Sequence, residues 1–162
     1  MVFGEESPLL LAVSDGMGGE AAGEVASALA LDSLRTTVAH LLLTTTPDVA
    51  LRAGFDYANR AVVEAATSGR AGMGATLTAA LVTRHEVHLS TVGDSRAYVM
   101  RAGRLVQLTR DQSYVQLLID SGQLRRDEVN AFPLRNVILQ AIGRAPTLSV
   151  VVHRLELRRG DR

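Results

Sequence analysis

The spacing of hydrophobic positions changes along the chain, and each change marks a different kind of element. Leu9-Leu-Leu-Ala-Val13 is a continuous apolar run that stops at Ser14-Asp15 and the glycine-rich Gly16-Met-Gly-Gly19, which predicts a strand closed by a turn. Beyond it Val25, Leu29, Leu34, Val38 and Leu41 recur at helical spacing and predict a helix from about Ala21 to Leu43, its apolar stripe facing the core. Thr46-Pro47-Asp48 offers a cap, a proline for the first helical position and an acid for the first turn of a second helix. Leu51, Phe55, Ala58, Val62 and Ala65 continue one face of it until Ser68-Gly69 ends it. An antiparallel helix pair is the expectation.

From Gly74 to Leu108 the period shortens. Aliphatic and β-branched residues are interrupted only by short turns, such as Arg84-His85-Glu86 and Ala102-Gly103, which predicts three or four antiparallel strands. Tyr98 is the only Phe, Tyr or Trp in that block, so its packing must rely on Leu, Val and Ala. Tyr114 to Gly122 returns to helical spacing with Val115, Leu118 and Ile119 on one face, and a second short helix follows at Asp127. Ser149 to Leu157 predicts a further strand, and Gly160-Asp161 is a pair that turns into another. Helices segregated from antiparallel strands imply a layered α+β architecture, since βαβ alternation is absent.

The chain of 162 residues fits one domain with a substantial core, and it contains no internal repeat, low-complexity tract or linker. Seventeen basic residues balance 17 acidic ones, leaving no net field to draw nucleic acid or an anionic membrane. All the basic residues are arginine, a side chain suited to bidentate phosphate recognition. With 4% aromatic residues and no tryptophan, the chain has few platforms for stacking bases. The absence of cysteine excludes disulfides and thiolate metal sites, so any metal must be held by oxygen or imidazole. No apolar run is long enough to span a bilayer and no basic segment precedes an apolar signal core, so a cytoplasmic protein is expected.

Candidate chemistry centres on Asp15. It stands where a strand gives way to a glycine turn and a helix start, a rigid place from which a carboxylate can be presented to a metal or phosphate. The plainer alternative is an ordinary glycine-rich strand-to-helix turn. The histidines His40, His85, His88 and His153 are scattered, and the odd spacing of His85 and His88 puts them on opposite faces of a strand. Asp111 suits a turn or cap. A nucleotide-binding glycine loop is disfavoured, because no Gly-x-Gly-x-x-Gly or Walker pattern follows a strand.

Four segments in order resemble the metal-dependent protein phosphatases of type 2C, the PPM family, and its bacterial branch in particular, a resemblance that runs over nearly the whole chain. They are Val13-Ser-Asp-Gly-Met-Gly-Gly19 with Gly23-Glu24, Gly72-Met-Gly-Ala-Thr-Leu77, Val92-Gly-Asp-Ser-Arg-Ala-Tyr98 and Leu108-Thr-Arg-Asp-Gln-Ser113. Asn136-Val137, Ala141-Ile-Gly143 and Arg159-Gly-Asp-Arg162 also fit the family's run toward its next motif. The resemblance implies a sandwich of antiparallel sheets flanked by antiparallel helix pairs. It also implies hydrolysis of phosphoserine and phosphothreonine by a water bridging two Mn²⁺ or Mg²⁺ ions. Asp15 then matches the bridging carboxylate, Gly16 the residue whose carbonyl binds the second ion, and Asp94 an aspartate linked to a third, weaker metal position. The alternative for Asp94 and Ser95 is a polar turn between strands, with Arg96 paired to the carboxylate. Thr76 and Thr78 are expected to serve strand packing. Met17 stands where eukaryotic members often carry a histidine, so acid catalysis from that position is not expected.

The family's first motif, with the arginine that binds substrate phosphate, and its later aspartate motifs find no counterpart in residues 1–162. The expectation is therefore a single partial phosphatase-like domain with a short ligand set and unpaired sheet edges. Its partners would be a phosphorylated protein substrate and, by analogy with bacterial relatives, a serine/threonine kinase. The alternative is a non-catalytic module of the same fold that binds a phosphoprotein or kinase.

Overall fold

The computed structural model describes residues 8–67 and 72–162. The predicted first strand is β1 (Leu9–Val13), and the glycine turn after it contributes a two-residue strand, β2 (Gly16–Met17), before α1 (Glu20–Leu41) and α2 (Pro47–Thr67). The helix pair forms as the spacing requires. Ala26, Ala30, Leu34 and Val38 of α1 pack with Leu51, Phe55, Ala58 and Val62 of α2, all at or near zero exposure. Gly54 lets the helices close, since a Cβ there would lie 2.7 Å from Leu34 Cδ1. The predicted stop of α2 at Ser68-Gly69 lies outside the described residues.

The strand block contains β3 (Gly74–Ala75), β4 (Leu77–Val82), β5 (Glu86–Val92), β6 (Tyr98–Arg101) and β7 (Arg104–Gln107). Four of these meet the expectation. The two-residue β3, at the start of the expected strand block, pairs with β2 in the register Gly16↔Ala75 and Met17↔Gly74; at Gly16–Met17 the sequence indicated only a turn. Then come α3 (Tyr114–Asp120), a short 3-10 helix at Arg126–Ala131 where the second helix is expected, and β8 (His153–Glu156). The main sheet is antiparallel in the order β1-β4-β5-β8, with β2-β3 and β6-β7 as separate two-stranded ladders.

Alternation in β1 and β4 decides which face meets the helices. Leu10 and Ala12 of β1 and Leu77, Ala79 and Leu81 of β4 turn to the helix-side core, whereas Leu9, Leu11 and Val13 point the other way and stay more than half exposed. On the helix side, His88 of β5 is buried and its Nδ1 lies 2.5 Å from Asp48 Oδ1 in the first turn of α2. Arg154 of β8 binds the other oxygen of Asp48, so one carboxylate ties the helix to two strands.

The last strand is shorter than the expected Ser149–Leu157 because side chains capture its leading backbone. Ser149 exchanges two hydrogen bonds with Gln140, Arg52 donates to the Val150 carbonyl, and Ser90 donates to that of Val151 at 3.0 Å. The turn at Gly160-Asp161 brings Arg162 beside β6, where it exchanges main-chain hydrogen bonds with Met100 at 2.7 and 3.1 Å. Among the described residues no helix is long and apolar enough to cross a membrane.

Candidate metal-binding cleft

Asp15 lies two residues past the end of β1, and its backbone is held by Thr76, a buried residue between β3 and β4. The Thr76 amide donates to the Asp15 carbonyl at 2.8 Å, the Asp15 amide donates to Thr76 Oγ1 at 3.0 Å, and Ser14 Oγ donates to the Thr76 carbonyl at 2.6 Å. The same Thr76 hydroxyl lies 2.8 Å from Ser95 Oγ. Two segments far apart in sequence, 14–15 and 93–96, are thereby fixed through a single residue.

The second segment has further supports. Thr78 Oγ1 donates to the Ser95 carbonyl at 3.0 Å, and the Gln112 side chain accepts from the Gly93 amide at 2.9 Å while the Gln112 amide returns a bond to the Gly93 carbonyl. Gly93 adopts φ 103°, a conformation side chains resist, and an added Cβ would stand 2.7 Å from Thr76 Cγ2. Thr76 and Thr78 thus do more than pack: their hydrogen bonds hold the Asp15 backbone and Ser95, the residue next to Asp94.

Gly16 is constrained from the other side. A Cβ there would approach the Gly23 carbonyl oxygen to 1.9 Å, so the first turn of α1 rests directly on its backbone. Ala75, its cross-strand neighbour, directs both main-chain groups to Ile142 at 3.0 and 2.8 Å, which leaves the Gly16 carbonyl unclaimed by that pair.

Asp15, Met17 and Asp94 line one cleft of about 460 Å³, whose remaining wall is the 136–144 segment through Asn136, Ile138, Leu139, Ala141 and Arg144. The two aspartates in it are unlike most other aspartates of the chain. Asp32, Asp48, Asp111, Asp120, Asp127 and Asp161 each carry an arginine. Neither Asp15 nor Asp94 is engaged by any ion pair or side-chain hydrogen bond among the described residues. Arg96, the partner of Asp94 in the alternative reading, instead grips Asp111 with Nε and Nη2, which leaves Asp94 available.

Unpaired carboxylates facing one cleft, with no thiolate in the chain, form a donor set suited in kind to a hard divalent cation; Gly16 itself is not among the residues that line the cleft. Among the described residues no cluster of three His, Cys, Asp or Glu side chains converges, so protein carboxylates would supply only part of a coordination shell. Met17 presents a thioether, which has no proton to give. Sequence reasoning found the two aspartates and missed Gln112 and Arg144. Gln112 lies within the Leu108–Ser113 motif but its target, Gly93, is distant in sequence; Arg144 has no local signature beyond following Gly143.

The model of the family described as protein phosphatase 2C matches residues 3–116. The chain is 42% identical over 163 residues to the serine/threonine protein phosphatase PstP of Mycobacterium tuberculosis, a match covering 94% of this chain and 30% of that protein. It is 36% identical over 145 residues to the serine/threonine phosphatase stp of Listeria monocytogenes, covering 86% of this chain and 57% of that protein. The chain therefore spans well under two thirds of the length of these relatives. Among solved structures, PstP/Ppp of Mycobacterium tuberculosis superposes with a TM-score of 0.83 at 35% identity, covering 99% of this chain and 70% of that one. The catalytic domain of PstP in complex with two manganese ions superposes at 0.79 and 34% identity, covering 99% of this chain and 69% of that one.

Proposed function

This chain belongs to the protein phosphatase 2C family, and from that premise we propose that its cleft serves hydrolysis of phosphoserine and phosphothreonine in proteins. Asp15, the Gly16 carbonyl and Asp94 are the residues assigned to Mn²⁺ or Mg²⁺, with Asp15 the bridging carboxylate. A serine/threonine kinase is the opposing enzyme in this reading, and the cytoplasm its location. The observation that carries the proposal is the pair of arginine-free aspartates in one cleft of a chain in which six of the seven other aspartates carry an arginine.

When bound, such cations lower the pKa of a coordinated water and offset charge on the phosphoryl oxygens. The chain's own part is placement. Thr76 holds the Asp15 backbone at two points and Ser95 at a third, which keeps the carboxylate and the Asp94 loop from drifting relative to each other. Met17 does not act as a general acid, so the leaving serine or threonine oxygen takes its proton from elsewhere. The oxygen-only donor set supports hard divalent ions and does not choose between the two.

A second reading, a phosphoprotein-binding module without turnover, is favoured by the lack of a third acidic or imidazole side chain at the cleft among the described residues. Mn²⁺-dependent phosphate release from a phosphothreonine peptide tests both, with Asp15→Asn as control. Turnover that disappears in Asp15→Asn supports the hydrolase. A folded, Mn²⁺-treated sample that binds the phosphopeptide and releases no phosphate supports the binding module instead.

A further inference from the structure

Arg144 is the one cationic side chain among the described residues that lines the cleft of Asp15 and Asp94. Its stem lies on the same short ladder that presents Asp15: a Cβ added at Gly74 would stand 2.9 Å from Arg144 Cδ, and Gly74 is the cross-strand partner of Met17. At its tip, Nη1 donates to the Gly72 carbonyl at 2.7 Å. The side chain is thus anchored at stem and tip, although the residue is exposed.

What it does not do is equally informative. Arg144 forms no ion pair with either carboxylate of the cleft, whereas the arginines at 35, 96, 101, 110, 125 and 154 are all committed to aspartates. Its Nε and Nη2 have no partner among the described residues. A guanidinium anchored through one nitrogen keeps a planar edge of free N–H groups, the geometry that binds a phosphate through two oxygens at once. Set beside carboxylates that it does not neutralise, it provides an anion-attracting point in a cleft whose other charges would be spent on cations.

We infer that Arg144 binds the phosphoryl oxygens of the substrate and orients the phosphorus toward the Asp15 side of the cleft, an assignment that rests on the phosphatase reading. Arg144 would then contribute affinity for any phosphate monoester that enters, and its loss would leave metal binding intact.

Equilibrium binding of inorganic phosphate to the Mn²⁺-treated protein, followed by calorimetry, tests this independently of turnover. Arg144→Ala is expected to weaken phosphate on the order of tenfold or more, as loss of a charge-assisted pair requires, with Arg144→Lys recovering part of it. Arg144→Gln keeps a polar side chain but not the charge, and it is expected to behave like alanine. The Mn²⁺ affinity should be unchanged in all three. Where the native chain hydrolyses a phosphothreonine peptide, KM should rise by a similar factor with kcat falling less. Equal phosphate affinity in native protein and Arg144→Ala, full phosphate affinity in Arg144→Gln, or no phosphate binding by the native chain overturns the inference. Binding lost in Arg144→Ala and Arg144→Gln in a protein without turnover upholds the arginine and defeats the hydrolase instead.

Discussion

Thr76 holds Asp15 by both of its main-chain polar groups, donating from its amide to the Asp15 carbonyl at 2.8 Å and accepting from the Asp15 amide at 3.0 Å on its hydroxyl. The residue is completely buried, so water cannot replace that hydroxyl if it is removed. Thr76→Val leaves the Asp15 amide and the Ser95 hydroxyl without this partner and should cost about 1–3 kcal/mol of stability. Urea unfolding measures that loss. Thr76→Ser, which retains the oxygen, should recover most of it, and the Mn²⁺ concentration for half-maximal phosphate release should rise in the valine variant only.

Gly93 is the pivot on which the Asp94 loop turns. Its φ of 103° is costly for any residue with a Cβ, and the added atom would press within 2.7 Å of Thr76 Cγ2. Gly93→Ala should therefore destabilise the chain by about 1–3 kcal/mol through overpacking, read as a lower urea midpoint at constant slope. An unchanged midpoint would mean that the loop relaxes without disturbing Thr76.

Asp15 and Asp94 should differ in consequence. Asp15→Asn removes the proposed bridging ligand and should abolish Mn²⁺-dependent turnover. Asp94→Asn should raise the Mn²⁺ requirement while leaving measurable rate at saturation. Because ligands that bind only the folded state raise its stability, Mn²⁺ should also raise the melting temperature of the native chain, and less so that of Asp15→Asn.

Much of this was legible because the periodicities are long and uninterrupted. Leu34 and Val38 against Leu51 and Phe55 give the helix pair, and the run from Leu77 to Val92 gives the central strands. The β2–β3 ladder was not legible, since two glycine-containing residues a side carry no alternation; only the placement of Ala75 between Gly16 and Ile142 reveals it. The early residues of the expected last strand failed for a different reason. Gln140, Arg52 and Ser90 claim their backbone groups, and nothing local to Ser149–Val152 announces these partners. At the cleft, Asp15 and Asp94 stood out by their motifs, whereas Arg144 becomes a candidate only when its distance from any neutralising acid is known.

Asp48 joins α2 to β5 and β8, and Arg154 is the main reason its carboxyl sits below the ordinary carboxylate value, with His88 a further contributor. Asp48→Ala strands a buried histidine and frees an arginine at once. The expected loss is about 1–3 kcal/mol. Amide exchange should locate the change in the first turn of α2 and at β8, while the Asp15 cleft keeps its protection.

Asp161 offers the sharpest dependence on pH. Arg101 binds both its oxygens and the Arg158 amide donates to it, and together they hold its pKa down to about 2. A carboxylate depressed in the folded state contributes stability that is complete above its unfolded value of 3.8 and is lost as pH falls toward about 2. The group lies beside the Arg162–Met100 hydrogen bonds, so its protonation should release the end of the chain from β6 before the main sheet responds. In the native protein, the protection of the Met100 amide, measured against its intrinsic exchange rate at each pH, should fall between pH 4 and pH 2, a window that spans the ordinary and folded values. Asp161→Asn should show low protection at Met100 already at neutral pH and little further loss of protection on acidification. A native Met100 amide that stays protected to pH 2 would mean that the Arg101–Asp161 pair does not hold this end in place.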